Sequence, residues 1–262
     1  MIDDSDIKNA LIDLNPVGLQ EINSLSMMDR VEVKYIFPVN KMSALIRLLK
    51  DNYRVLEIKN TRALPYNTTY LDTSDYLFYN QHTRGEFSRH KIRYRRYEIN
   101  GDSFLEIKMK TNKKRIIKWR IENSFEPGVY NEDAEDLIGL YLPVSSSLLS
   151  PSLINRFNRI TVIGKETDER ITLDYNINFT DPNSGSYTEM PYLGVIEMKN
   201  TGFSQCSPFN SIAKSLNIYP EGFSKYCTGN AILKTGLKTN MIKPKILLLN
   251  KIENEYIKSC SN

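Results

Sequence analysis

The stretch His90-Lys-Ile-Arg-Tyr-Arg-Arg-Tyr-Glu-Ile-Asn-Gly-Asp-Ser-Phe-Leu-Glu-Ile-Lys-Met-Lys110 decides the reading of this chain. Ile92 and Tyr94 alternate with Lys91, Arg93 and Arg95, and after a tight turn Leu105, Ile107 and Met109 alternate with Glu106, Lys108 and Lys110. Alternation with a period of two is the signature of a half-buried β-strand, so the stretch is a hairpin. Its polar face carries cations opposite cations, an arrangement that destabilises a strand pair. An anionic occupant would make it favourable.

The charge of the whole chain supports a localised site. The 262 residues carry a net charge of +4. Between Arg84 and Arg120 there are 13 Lys/Arg against 4 Asp/Glu, a local net of +9, while the remainder holds 22 against 27 and is net acidic. Basicity concentrated in one region points to an anionic ligand rather than a generally adhesive surface. The apolar runs are too short to cross a bilayer, and the first residues are acidic where a secretory signal would be basic. Cys206, Cys227 and Cys260 are odd in number and contain no Cys-x-x-Cys, which reads as reduced thiols in a cytoplasmic protein.

The same alternation recurs along the chain, at Val31–Tyr35, Ile117–Glu122, Arg170–Phe179 and Ile196–Lys199, with further strands over Thr68–Asp72 and Phe157–Ile163. Asn15-Pro16 reads as the opening of a helix through Ser24, and Asn40 as the N-cap of a helix with Met42, Leu45, Ile46 and Leu49 on one face. Asn131–Tyr141, Pro208–Leu216 and Phe223–Leu233 are further helices. Two arrangements satisfy such strands: a sandwich with the charges in water, or a barrel whose charges line a lumen beneath outer helices. Three details favour the second. The polar faces carry Arg, Lys and Glu with little Ser, Thr or Gln. Glu recurs two positions from Lys at Glu32/Lys34, Glu106/Lys108 and Glu197/Lys199. The amphipathic helices also need an apolar sheet surface to cover. The expected fold is therefore α+β: an antiparallel, eight-stranded, tunnel-like β-barrel with a charged lumen and helices packed outside. The expected organisation is an N-terminal tail over 1–13, one domain over 14–238 and a C-terminal tail over 239–262.

Arg30-Val-Glu-Val-Lys-Tyr35, Thr69-Tyr-Leu-Asp-Thr73, His90-Lys-Ile-Arg-Tyr-Arg95, Phe104-Leu-Glu-Ile-Lys108, Lys118-Trp-Arg120, Arg170-Ile-Thr-Leu-Asp174, Val195-Ile-Glu-Met-Lys199 and Phe223-Ser-Lys-Tyr226, in this order, resemble a known family. It is the polyphosphate polymerase domain of the vacuolar transporter chaperone family, within the CYTH/triphosphate tunnel metalloenzyme superfamily. The resemblance covers roughly Leu14 to Leu233. It implies a basic tunnel holding triphosphate or polyphosphate beside Mg²⁺ or Mn²⁺, and, in relatives with polymerase activity, transfer of the γ-phosphate of ATP onto a polyphosphate chain. Carried over, it implies that Lys34, Arg93, Arg159, Arg170 and Lys199 act on the reacting phosphates. Lys91, Arg95, Lys108, Lys118, Ser224 and Lys225 would bind substrate phosphate, and Glu197 would hold the metal, with Glu32 a possible second ligand. Two positions depart from the pattern. Phe157-Asn-Arg159 stands where the family has Tyr-x-Arg, and Arg30 stands where the broader CYTH signature opens with Glu, which argues against its hydrolytic branches.

The chemistry is consistent with these residue types. Phosphoryl transfer needs position and positive charge more than a covalent group; Arg supplies a planar fork for phosphate oxygens and Lys a mobile point charge. A terminal phosphate acceptor is already ionised near neutral pH, whereas hydrolysis must deprotonate water, so a lumen rich in cations and short of spare carboxylates leans toward transfer. There is no Gly-x-Gly-x-x-Gly, Walker or His-Glu-x-x-His pattern. Nucleic acid is disfavoured as a partner because the cations share a face with Glu rather than with exposed stacking aromatics. The expected ligands are ATP or inorganic tri- and polyphosphate. The alternatives are a non-catalytic polyanion-binding module and an inorganic triphosphatase. No protein partner is implied.

Overall fold

The structure is a computed structural model and describes residues 4–24, 31–113, 115–200 and 207–260. The opening hairpin is present as β5 (Arg89–Tyr97) and β6 (Ser103–Lys110). Its turn closes through Gly101, at φ 80°, a left-handed conformation that costs glycine little. The Gly101 N–H donates to the Tyr97 carbonyl at 2.8 Å.

In chain order, the strands are β1 (Pro16–Val17), β2 (Val31–Pro38), β3 (Tyr53–Leu56), β4 (Ala63–Asp72), β5, β6, β7 (Ile116–Glu122), β8 (Ser150–Gly164), β9 (Arg170–Thr180), β10 (Tyr187–Met190) and β11 (Leu193–Asn200). The helices are α1 (Asp4–Ile12), α2 (Leu19–Ser24), α3 (Met42–Leu49), α4 (Leu77–Thr83), α5 (Glu132–Tyr141), α6 (Pro208–Ser215), α7 (Lys225–Leu233) and α8 (Lys243–Cys260). Eight strands form the main path, in the order β2-β11-β9-β8-β4-β5-β6-β7, each antiparallel to the next. The expected count of eight is thus that of the path alone; β1, β3 and β10 bring the sheet to 11 strands. Closure also differs from the expectation, since no hydrogen-bonded ladder joins β2 to β7 among the described residues. The sheet curls so far that side chains bridge the gap instead: Lys108 of β6 reaches Glu32 of β2 at 3.5 Å.

The curl turns the apolar faces outward under the helices. Ile171, Leu173, Ile160, Val162, Ile196 and Met198 join Met42, Leu45, Ile46 and Leu49 of α3 in the main core. A second cluster packs Ile92, Leu105 and Ile107 against Phe78 of α4 and Ala134 and Ile138 of α5. Ile7, Ala10 and Leu11 of α1 and Leu249, Ile252 and Tyr256 of α8 belong to the main core as well, so both chain ends expected as tails contain helices packed on the domain. None of the helices in the described residues is long and apolar enough to cross a membrane.

Three local expectations need correction. Pro16 does not open a helix: Asn15 and Val17 accept hydrogen bonds from Val55 and Glu57 at 2.9 and 3.0 Å, so this segment pairs in parallel with β3 and the helix waits until Leu19. Asn40 does not cap α3, because its amide donates to the Ser259 hydroxyl at 3.0 Å while a 3₁₀ turn over Val39–Lys41 leads into the helix. β4 and β8 are also longer than their alternating segments, since strands paired on both edges tolerate breaks in the pattern. The helix expected over Asn131–Tyr141 is present as α5, and Asn131 caps it by accepting from the Ala134 N–H at 2.9 Å.

Candidate functional site

Directly opposed residues of an antiparallel pair share a sheet face, so the register identifies what faces the lumen. Glu32 lies opposite Lys199 and Lys34 opposite Glu197. Lys199 also faces Arg170. Asp174 lies opposite Arg159. Lys91 lies opposite Lys108 and Arg93 opposite Glu106, and Lys118 and Arg120 extend those rows onto β7. The strand-borne residues expected at the site therefore fall on one face. Ser224 and Lys225 come from the N-terminal end of α7, where Ser224 is the N-cap and accepts from the Cys227 N–H. Lys91 Nζ donates to Ser224 Oγ at 3.2 Å, which ties this helix to the hairpin.

Four carboxylates organise the cations. Glu106, 1% exposed, receives Arg93 at 2.6 Å and Lys118 at 2.7 Å, with Arg120 at 3.8 Å and Arg95 at 3.9 Å. Asp174 takes Arg159 through two hydrogen bonds of 2.6 and 2.8 Å and also binds Lys225. Glu197 pairs with Lys199 and lies 3.7 Å from Lys34, which is 3.0 Å from Glu32. Burial pushes all four carboxyl pKa values up, yet each ends below its ordinary value because the adjacent cations outweigh it: Arg93, Arg95 and Lys118 at Glu106, Arg159 and Lys225 at Asp174, Lys199, Lys34 and Arg159 at Glu197, and Lys34, Lys108 and Lys199 at Glu32. Against the effect of burial, their partners Lys34, Arg93 and Arg159 are raised in return by the same carboxylates, while several other lumen cations are not. Burial lowers Lys91 and Lys225 to about 8, and lowers Lys108 and Arg170 as well.

The lumen is thus an ion-pair lattice in low-dielectric surroundings. Its attraction offsets much, though not all, of the cost of desolvating so many charges. Arg170 and Lys91 stand out because no ion pair joins either to a carboxylate among the described residues. Arg95 sits deeper, beside Thr68 and 5.4 Å from the centre of the Tyr66 ring. The Phe157 ring stacks on Tyr66 at 5.4 Å and lies under Lys225 Nζ at 4.5 Å. Tyr66, the residue opposite Phe157 on β4, therefore places a phenol beside the position where the family has its own. Arg30, the other departure from the family pattern, lies outside the described residues.

Several lumen residues escaped the sequence reading. Glu106 was legible as a lumenal carboxylate that tempers the repulsion among the cations, but its particular partners on β5 and β7 emerge only from register. Asp174 belongs to the same alternating face as Arg170, but nothing local shows that it holds Arg159 and Lys225. Arg120 stacks 3.5 Å from the centre of the Phe104 ring across a strand pair, which no sequence spacing reveals. A cleft of about 350 Å³ on the opposite face, lined by Asn67, Arg96, Asp102 and Glu122 among others, lies outside the lumen.

Two carboxylates suit a divalent cation. Glu32 and Glu197 both approach Lys34 Nζ, so their oxygens converge on one region, and a hard cation such as Mg²⁺ or Mn²⁺ takes one or two carboxylates and completes its shell with phosphate oxygens and water. Their oxygen donors fit such an ion.

Several proteins of known structure are similar to this chain. A candidate adenylyl cyclase from Hippeastrum, described as having a dominant triphosphatase activity, is 14% identical, with a TM-score of 0.49 over 80% of this chain and 99% of that one. Candidate adenylate cyclases from Bacillus halodurans and Vibrio parahaemolyticus are 16% and 13% identical, with TM-scores of 0.48 and 0.47. Each aligns with 77% of this chain, and with 98% and 97% of its own. No curated protein matches the chain. Residues 29–234, most of the chain and all of the lumen, match the VTC domain, and the protein belongs to the VTC-domain family.

Proposed function

We propose that this protein is a metal-dependent phosphoryl-transfer enzyme that binds ATP and polyphosphate in its basic tunnel and lengthens polyphosphate at the expense of ATP. The observation that carries the reading is the lattice itself. Lys34, Arg93, Arg159 and Lys199 are held on one curled face by carboxylates whose own pKa values are depressed. An incoming phosphate chain would exchange with these carboxylates for the same cations, so the positions of charge are set before substrate arrives.

Within that reading, Arg93 and Arg159 present guanidinium forks to phosphate oxygens, and Lys34, Lys199 and Arg170 surround the transferring group with charge. Lys91, Arg95, Lys108, Lys118, Ser224 and Lys225 hold the remaining phosphates in line. Glu197, with Glu32 beside it, would hold Mg²⁺ or Mn²⁺, which supplies neutralisation of the phosphate oxygens when bound. Paired carboxylates of low pKa are poor acceptors of a proton from water. A terminal phosphate oxygen is already anionic and needs no such base, which supports transfer over hydrolysis.

The test is incubation with ATP and Mn²⁺, followed by gel separation of polyphosphate and measurement of released phosphate. Long chains are the expected product, and the Glu197→Gln and Arg159→Ala variants should each lose at least about a hundredfold in rate, as charge stabilisation of a transition state implies. Phosphate release without chains would replace this reading with a triphosphatase. Neither product would leave a polyanion-binding module.

A further inference from the structure

Most lumen cations have a carboxylate partner, but among the described residues two cations in one corner have none. That corner lies where α4 ends and β5 begins, and holds Arg89 and Lys91 of β5, Lys108 of β6 and the imidazole of His82 on α4. Lys108 leans away toward Glu32. Among the described residues, neither Arg89 nor Lys91 has an ion pair; Arg89 donates one guanidinium hydrogen to the Glu86 carbonyl at 3.0 Å, and Lys91 donates to Ser224. Arg89 Nε and His82 Nε2 are both buried without a hydrogen-bond partner. Buried polar nitrogens are rarely left so, and a donor and a ring nitrogen orphaned in one cationic corner point to a missing ligand.

The ligand's chemistry follows from the pair. Arg89 and Lys91 call for an anion. His82 is neutral at pH 7: burial, then Lys91, Arg89 and Lys108, hold its pKa well below the ordinary imidazole range, and a hydrogen bond with the His90 main chain restores only part of it. The other groups near this corner are already engaged: Gln81 on α4 accepts from the His90 N–H, Asp72 is held by Tyr226 and the main-chain N–H groups of α4, and Lys34 is paired with Glu32. A neutral ring needs either a donor for its free nitrogen or a proton of its own. Internal phosphates of a chain carry no proton near neutral pH, whereas a terminal phosphate has a second ionisation near pH 6. Only a terminal phosphate offers both anionic oxygens for Arg89 and an O–H for an imidazole.

We infer that this corner is an end-of-chain subsite, in which Arg89 and Lys91 bind a terminal phosphate and His82 Nε2 shares its remaining proton. The inference rests on the phosphate-tunnel reading above, and goes beyond it by assigning two residues to the end of the chain. No bond is made or broken; one proton lies between a phosphate oxygen and Nε2.

The experiment compares linear tripolyphosphate with cyclic trimetaphosphate, which has the same repeating unit and no ends, by calorimetric titration at pH 6.5. The quantity read is the preference for the linear ligand, in the natural protein and in Arg89→Gln and His82→Gln. Each variant should lose about tenfold of that preference, the worth of one charge-assisted hydrogen bond, with trimetaphosphate binding unchanged within about twofold. An unchanged preference, or equal losses for both ligands, overturns the subsite. No binding of either ligand by the natural protein sinks the tunnel reading itself. A parallel loss for ATP assigns the corner to a nucleotide's terminal phosphate; a loss confined to tripolyphosphate assigns it to the inorganic chain end. The chain has two histidines, so ¹⁵N spectra of the natural protein report His82 without any variant. Its ring signals must move on adding tripolyphosphate and stay in place with trimetaphosphate.

Discussion

Glu106 shows how one residue holds a charged lumen together. It is the central carboxylate for Arg93 and Lys118 and lies near Arg95 and Arg120. Removing one partner of a buried ion pair costs about 3–5 kcal/mol; Lys118 and Arg120 reach solvent, which puts Glu106→Gln toward the lower end of that range. Urea titration of this variant should show the loss in the empty protein and a smaller loss with saturating tripolyphosphate, because phosphate supplies the missing negative charge. Lys91 and Lys225 give a second residue-scale prediction. Burial sets both near 8, below the usual lysine value. Between about pH 8 and 10 the unfolded chain then binds more protons than the folded one, so these lysines make the empty protein more stable as pH rises. Phosphate binding needs their charge, so tripolyphosphate affinity falls over the same range. Melting curves at pH 7.5 and 9.5, with and without ligand, should move in these opposite directions.

At the scale of elements, alternation made the hairpin, β2, β9 and β11 legible, because a strand with one charged and one apolar face writes its period directly into the sequence. The strands with mixed neighbours were less so: β8 begins at Ser150, well before its regular segment, and β1 is a two-residue strand paired in parallel with β3. The position of α7 was also hidden. Its seat depends on Gly229, where an added Cβ would lie 2.6 Å from Leu153 Cδ2 and 2.7 Å from Phe179 Cδ1. Gly229→Ala should therefore displace the helix, cost about 1–3 kcal/mol by overpacking, and weaken tripolyphosphate binding by moving Ser224 and Lys225. Gly139 on α5 has nothing within 4 Å of such a Cβ, so Gly139→Ala should leave binding alone and hold or slightly raise the melting temperature, as helix propensity favours alanine. If both variants bind equally well, α7 does not position the site.

For the molecule as a whole, the sheet's curl matters more than its closure. Among the described residues β2 and β7 share no ladder, yet Glu32 and Lys108 meet across the gap, and Lys91, Arg93, Lys108 and Lys118 of the basic region share the inward face. A ligand that binds only this folded arrangement should stabilise it by about 2.7 kcal/mol at a hundredfold excess over its Kd. The gain should shrink as salt rises from 50 to 500 mM, since screening weakens the groups nearest the gap. A thermal shift for tripolyphosphate that is absent at low salt would count against the lumen. By itself, the sequence determined that strands would alternate charge with apolar side chains and that an anion was needed, because both follow from side-chain chemistry at a period of two. Only the tertiary structure decided which carboxylate serves which cation and which cations, among the described residues, have none, because those pairings depend on register between strands far apart in the chain and on where α4 and α7 settle against them.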